Sequence, residues 1–299
     1  MTENCRSVCA MILSDKSSGS SMLQRELAKH PDVNVVRWTR HQENETLYWN
    51  KAAIVMGLPH ENLYRSEMPI PHAQARDELV EFLENNLSQP PVITDDGSWV
   101  FEGWRALCEE YGPVFLEKSP HHIHSKSALT LIEECSVRFP DISFRYIGLV
   151  RNPISTLYSM WKRWKIHPSK KEEEWSSSYR MLLSFSKDNE IATIVIKYED
   201  IVKNKIAIDS IFEHIGVSDF EHINSDIHSR SVDSWKRDQR FRWTPSAETV
   251  EVASALGYSG MDLETLRPTV SWAVTSRVSA FAADARFIGS ALKKRIRGR

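Results

Sequence analysis

The chain is poor in the residues that usually announce a phosphate-binding loop. Only 11 of its 299 residues are glycine, and the pattern Gly-x-x-x-x-Gly-Lys-[Ser/Thr] is absent, which disfavours an ordinary ATPase or GTPase cradle. Cysteine is scarce as well. Cys5, Cys9, Cys108 and Cys135 include no Cys-x-x-Cys pair, so reduced thiols are expected rather than a disulfide framework. No apolar run approaches the roughly 20 residues of a membrane span. The short apolar patch near the start runs straight into a polar loop, so no signal peptide is read there. Net charge is small, at -2, and gives no bulk electrostatic reason to bind nucleic acid or acidic membranes. Repeats, low-complexity tracts and obvious interdomain linkers are also missing. Apolar content is that of an ordinary globular protein with a full core. A soluble, cytoplasmic protein with one domain over residues 1–299 is the expectation.

Hydrophobic patterning supplies the elements. Short apolar runs over Val8–Leu13, Val33–Trp38, Val114–Glu117, Phe144–Val150 and Ile191–Tyr198 read as strands. Helical spacing is found over Ser20–His30, Glu43–Met56, Ala73–Leu87, Trp99–Tyr111, Ser125–Phe139 and Pro153–Lys165, the last with proline in its first turn. The alternation predicts an α/β fold: a central, mostly parallel sheet flanked by helices, with a P-loop-like strand-loop-helix at the N-terminus. Residues of about 39–111 would form cap helices, and about 270–299 a helical tail.

The first strand leads into Asp15-Lys16-Ser17-Ser18-Gly19-Ser20-Ser21-Met22. Small residues at a strand-to-helix turn let backbone N–H groups point into a concavity beside the positive end of a helix, which is a physical anion site. The competing reading is a serine-rich loop that merely caps a helix through Ser20. A second element lies at the end of the fourth strand, where Arg151-Asn152-Pro153 is followed by Ser159. In a parallel sheet, ligands bind outside the carboxyl ends of the strands, and an arginine there suits a phosphate held by a guanidinium fork.

Together these segments resemble the sulfotransferases that use 3'-phosphoadenosine 5'-phosphosulfate (PAPS). Ser18-Gly19-Ser20-Ser21 is similar to the family's 5'-phosphosulfate loop. Arg151-Asn152-Pro153 with Ser159 is similar to its 3'-phosphate site. Tyr198-Glu199-Asp200-Ile201 resembles a Tyr-Glu-Asp-Leu segment whose tyrosine contacts the nucleotide. More loosely, Arg230-Ser231-Val232-Asp233-Ser234-Trp235-Lys236 resembles the late loop that closes over the 3'-phosphate. The resemblance implies PAPS as sulfuryl donor, no metal, and cofactor contacts from Lys16, Ser17, Ser18, Gly19, Ser20, Ser21, Met22, Arg151, Ser159, Tyr198, Arg230, Ser231, Trp235 and Lys236.

Two departures concern the chemistry. The family's basic residue directly precedes Ser-Gly, but that position here is Ser17, with Lys16 one step earlier. Either Lys16 reaches the leaving phosphate from there or another lysine takes its place. The base is the second. One branch of the family uses Lys-[Ser/Thr]-His, and here Lys118-Ser119 is followed by Pro120, then His121 and His122. Another uses the glutamate of Glu-Lys-Ser, which Glu117-Lys118-Ser119 matches. Motif position ranks Glu117 first, while a histidine titrates near neutrality without help and keeps His121 and His122 in reserve. The catalytic candidates are thus Glu117, Lys118, His121, His122 and Lys16. Spacing in the His121–His124 cluster does not suggest metal ligation.

The implied reaction is transfer to a hydroxyl or amine of a small-molecule acceptor, with a natural product preferred. Aromatic residues of the cap, Tyr48, Trp49, Trp99, Phe101 and Trp104 among them, suit either an acceptor pocket or core packing. Met160–Lys165 mimics an aromatic–basic nucleic-acid patch, but inward tryptophans with solvated charges are the simpler reading. The basic Lys293–Arg299 end is read first as a solvated helix terminus, ahead of a partner or membrane contact. Rival functions are a small-molecule kinase, with Asp95, Asp96 and Asp200 available for magnesium, and a catalytically silent nucleotide-binding module. A membrane-anchored carbohydrate sulfotransferase is disfavoured.

Overall fold

A computed structural model of the chain describes residues 7–204, 206–220, 232–263 and 269–297, with side chains as far as Gly289. Strands and helices alternate in the order β1 (Ser7–Ser14), α1 (Ser20–Leu27), β2 (Val33–Asn34), α2 (Tyr48–Val55), α3 (His72–Asn86), α4 (Trp99–Glu110), β3 (Val114–Lys118), α5 (Lys126–Arg138), β4 (Ile142–Val150), α6 (Pro153–Trp164), α7 (Glu172–Asp188), β5 (Thr193–Lys197), α8 (Tyr198–Lys203), α9 (Ile206–His214), α10 (Ser234–Arg237), α11 (Ala247–Ala255) and α12 (Val270–Arg297). The chain divides into two compact units. The first comprises Met1–Asn62, Glu67–Val150 and Ser178–Ser229, and the second Leu63–Ser66, Arg151–Ser177 and Arg230–Arg299.

The first unit holds one five-stranded sheet of order β2-β3-β1-β4-β5, and every pairing in it is parallel. The α/β class with a central parallel sheet is therefore the observed one. β1 lies in the middle, with Val8–Ile12 against Val114–Lys118 of β3 and Ser7–Ser14 against Ile142–Leu149 of β4. Cys9 to Leu13 are fully buried, as expected of a strand covered on both faces. The chain leaves β1 for β2 on one side and later places β4 on the other. That reversal of winding makes the carboxyl end of β1 a topological switch point, the place where open α/β sheets bind ligands.

The second strand is far shorter than Val33–Trp38. Only Val33 and Asn34 pair with β3. Beyond them side chains replace the ladder: Arg37 N–H donates to Tyr111 Oη and Trp38 N–H to Asn86 Oδ1. The helix expected over Glu43–Met56 begins only at Tyr48, because Glu43, Asn44 and Leu47 all adopt positive φ. Tyr198 closes no strand but opens α8. Helix α7 escaped sequence reasoning although Trp175, Tyr179, Leu182 and Phe185, all buried, recur at helical spacing.

The cap aromatics form core. Tyr48 and Trp49 pack against Trp104 at ring distances of 4.9 and 5.0 Å, and Trp104 against Phe115 of β3 at 5.3 Å. Tyr48 donates its hydroxyl to the Val100 carbonyl at 2.6 Å. In the second unit Trp161 packs on Trp272 and Phe241, as an inward tryptophan should, whereas Trp164 is partly exposed.

Candidate active site

The loop from Asp15 to Gly19 is held from inside the protein. Asp15 Oδ1 accepts from Lys16 N–H at 2.6 Å and pairs with His124 Nε2 at 2.9 Å, and both side chains of that pair are buried. Tyr179 of α7 ties the loop to β4 through one hydroxyl. Its proton goes to the Leu149 carbonyl at 3.1 Å, so the Ser18 hydroxyl, 2.9 Å away, must donate to it. Asp15 N–H also points at it, at 3.4 Å. Burial pushes the Tyr179 phenol far up, which keeps that proton in place. Ser18 is completely buried, so its hydroxyl serves the loop's shape.

Gly19 ends the loop at φ 97°, in the left-handed region. A Cβ at this position would lie 2.4 and 2.5 Å from Tyr198 Cδ2 and Cε2. Glycine is thus required twice, by dihedral and by the ring packed against the backbone. The turn leaves the N–H groups of Ser20 and Ser21 without intrahelical partners, while Ser18 N–H donates to the Asp15 carbonyl at 3.3 Å and Met22 N–H to the Gly19 carbonyl at 3.0 Å. Ser17, Ser21 and Met22 are partly exposed along it.

Lys118, at the end of β3, is paired in register with Ile12. Its Nζ donates to Ser21 Oγ at 3.2 Å and to the Glu43 carbonyl at 2.6 Å, and lies 3.4 Å from Glu45 Oε1. Burial lowers its pKa, with Glu45 opposing. Lys118 therefore brings an ammonium to the first turn of α1. Lys16 is half-buried, and its charge is felt at His121.

Alternation along β3 sends Glu117 to the opposite face from Lys118. Glu117 Oε1 accepts from Ser119 Oγ at 2.6 Å and from Thr46 Oγ1 at 2.7 Å. Ser119 in turn accepts from the N–H groups of Thr46 and Leu47, at 3.0 and 2.9 Å, where the chain enters α2. Glu117 Oε2 lies 3.4 Å from His122 Nδ1. Burial alone would raise the pKa of Glu117. The His122 imidazole and the two hydroxyl donors outweigh it and hold the carboxyl below the ordinary glutamate value, with the positive end of α2 acting in the same direction. His121 behaves differently: burial first, then Lys16 and His124, keep its imidazole neutral well below its usual pKa.

Four supporting residues were given no role at the sequence level: Asp15, Thr46, His124 and Tyr179. A threonine just before a helical run is a recognisable signal for Thr46. Nothing local could pair Tyr179 with Ser18, which stands 161 positions away.

In the second unit, Arg151 follows β4 directly and is buried. Asn152 caps α6, accepting from the N–H groups of Ile154 and Ser155 and donating to the Asp262 carbonyl. Ser159 is half-buried two turns along α6. Trp235 is buried in α10, and Lys236 beside it pairs with Asp233 at 3.1 Å. Arg230 and Ser231 lie outside the described residues. Among the described residues no three His, Cys, Asp or Glu side chains are grouped to hold a metal ion. No helix among them is long and apolar enough to cross a membrane.

A parallel α/β sheet with a left-handed glycine at the β1–α1 turn defines the general class of protein, an α/β domain that opens with a P-loop-like strand-loop-helix. The profile of the sulfotransferase family matches residues 10–222, so the chain belongs to that family. Among solved structures it is similar to a sulfotransferase from Alicyclobacillus acidocaldarius, with 12% identity and a TM-score of 0.44 over 88% of this chain and 97% of that one. It is also similar to sulfotransferase STF1 from Mycobacterium tuberculosis H37Rv, with 13% identity and a TM-score of 0.41 over 93% and 77%. No curated protein sequence matches it.

Proposed function

We propose that the chain transfers a sulfuryl group from PAPS to a hydroxyl or amine of a small-molecule acceptor, with release of adenosine 3',5'-bisphosphate. The observation that carries this reading is the meeting of Lys118 with the first turn of α1, 3.2 Å from Ser21 Oγ, beside a turn that only glycine can make. A cation and a row of backbone N–H groups at one helix start are what a phosphate leaving group requires.

The residues fit the donor. Backbone N–H groups of Gly19, Ser20 and Ser21 would hold its 5'-phosphosulfate, those of Ser18 and Met22 being taken by the Asp15 and Gly19 carbonyls, with Ser17, Ser20 and Ser21 adding hydroxyls and Tyr198 bracing the turn. Arg151 and Ser159 would hold the 3'-phosphate, and Arg230, Ser231, Trp235 and Lys236 would close over it, as their motifs imply. When bound, PAPS supplies an activated sulfuryl group and a leaving phosphate. Lys118, and Lys16 from one position before the usual basic site, would stabilise the charge that develops on that phosphate. Glu117 would accept the acceptor's proton at Oε2, since Oε1 already takes two hydrogen bonds and the depressed pKa keeps the carboxylate ionised at neutral pH. His122 would steady the carboxylate, and His121, neutral by burial, is the alternative acceptor. A cytoplasmic setting belongs to the proposal and is supported by the free thiols of Cys9, Cys108 and Cys135.

Calorimetric titration with adenosine 3',5'-bisphosphate, beside ATP with magnesium, tests the reading. Tight binding of the bisphosphate and weak binding of ATP is the expected result. Preference for ATP would overturn it in favour of a kinase.

A further inference from the structure

Helix α12 has two apolar faces, and its own unit uses only one. Trp272, Ser276 and Ala280 are buried, and Trp272 packs on Trp161 and Phe241. Val270, Val274, Val278, Phe281 and Ile288 are instead 84, 56, 63, 76 and 58% exposed. At about 100° per residue these five fall within roughly 80° of arc, and their centre lies roughly 160° from that of the buried face. Exposed Ala285 falls within the same arc. Scattered exposed apolar residues mean little, but a continuous stripe over five turns of one helix marks a contact surface.

Charge identifies what covers the stripe. From Val270 to Arg299 seven residues are Lys or Arg and only Asp284 is acidic, although the whole chain carries a net -2. Asp284 is already engaged by Arg65 and by the Tyr64 hydroxyl. Arg277 and Arg286 are exposed, and Lys293, Lys294, Arg295, Arg297 and Arg299 follow in the sequence. A second copy packed parallel along the stripe would set two such cationic segments side by side, where they would repel, and an antiparallel copy would leave both segments without a counter-charge. An anionic bilayer surface offers both what the stripe needs and what the charges need: acyl chains for Val, Phe and Ile, and headgroup charge for Lys and Arg.

We propose that α12 docks in the plane of an anionic lipid surface through its Val274–Ile288 stripe and the basic residues that follow it. The helix lies on the bilayer and does not cross it.

The test is co-sedimentation of the full chain with phosphatidylcholine vesicles, with and without phosphatidylserine. Binding to the serine-containing vesicles alone, weakened by salt, is expected. Phe281→Ser with Ile288→Ser should lower it by about tenfold or more, as should Lys293→Gln with Lys294→Gln and Arg295→Gln. The altered side chains of the first variant face solvent, and an unchanged circular-dichroism melt verifies its fold. No binding to either vesicle, or equal binding to both, would overturn the proposal. Self-association in light scattering that Phe281→Ser abolishes, without lipid binding, would overturn it in favour of a second copy.

Discussion

Glu117 Oε2 stands 3.4 Å from His122 Nδ1, with both side chains sealed from solvent. A buried carboxylate is ordinarily pushed toward its neutral form, but this one is held ionised by the imidazole and by Ser119 and Thr46. The strand end thus presents a charged carboxylate inside the protein. Glu117→Gln should abolish turnover while leaving affinity for adenosine 3',5'-bisphosphate within about twofold. Full activity in that variant would pass the base role to His121 or His122. The pH dependence follows from the sign of the shift. A depressed folded pKa contributes stability above the unfolded value of about 4.3 and loses it as pH falls through the lower folded value. Glu117 should therefore cause no fall in kcat between about pH 7 and pH 5, whereas its protonation adds to acid unfolding below about pH 4. A kcat–pH profile alongside melting curves measures both.

Gly19→Ala should be costly on two counts, the collision with the Tyr198 ring and the positive φ. A loss of about 1–3 kcal/mol in stability is expected, with at least tenfold weaker nucleotide binding. In a Tyr198→Ala background the collision is gone, so Gly19→Ala measured against Tyr198→Ala alone should cost only the dihedral strain, about 1–2 kcal/mol. Equal melting temperatures for Gly19→Ala and the unaltered protein would refute this account of the turn.

Tyr179→Phe deletes one oxygen that joins Ser18 and Asp15 to the Leu149 carbonyl. The cost should be about 1–3 kcal/mol, since the carbonyl and the serine hydroxyl are left buried without it. Urea unfolding measures it. A change below about 0.5 kcal/mol would show that the loop keeps its shape by other means.

Arg151→Ala should weaken binding of adenosine 3',5'-bisphosphate by about 1.5–3 kcal/mol, the worth of a charge-assisted fork. Titration against adenosine 5'-phosphate, which lacks the 3' group, provides the control and should show little difference between variant and wild type. Unchanged bisphosphate affinity would remove Arg151 from the 3'-phosphate site.

Lys51 Nζ lies 3.0 Å from Glu78 Oε2, with side chains 2 and 6% exposed. Lys51→Met removes the nearest cation from a buried carboxylate that keeps Gln74 Nε2 at 2.9 Å and Arg40 at 3.8 Å, and should destabilise the fold by about 1–3 kcal/mol, while Lys51→Met with Glu78→Leu should recover most of that. A double variant no more stable than the single one would contradict this. Denaturant midpoints report the result.

The elements with the strongest periodicity were legible without coordinates. β1, α1, α3, α4, β3, α5, β4 and α6 all begin and end within a few residues of where patterning puts them, because burial on one face or both imposes a period on the residues themselves. The misses share a cause. Val35–Trp38 has the composition of a strand, yet its backbone is taken by Asn86 and Tyr111 from other elements. Gln42–Leu47 has helical composition, but the chain turns there at Glu43, Asn44 and Leu47 so that Ser119 can accept from Thr46 and Leu47.

The same division runs through the candidate site. The residues themselves pointed to the glycine turn and to Arg151, since a tight turn at a helix start and a charge at a strand's carboxyl end leave local marks, and the family resemblance added Glu117-Lys118-Ser119 and Tyr198. Folding was needed to show that Tyr198 packs on Gly19, that Tyr179 grips Ser18, and that His122 rather than His121 faces Glu117. Those contacts join positions 179, 161 and 5 residues apart. The two distant pairs form only through the packing of whole helices and strands, and for the near one the turn after β3 chooses between adjacent histidines. Such choices depend on three-dimensional closure, which no local window of the chain contains.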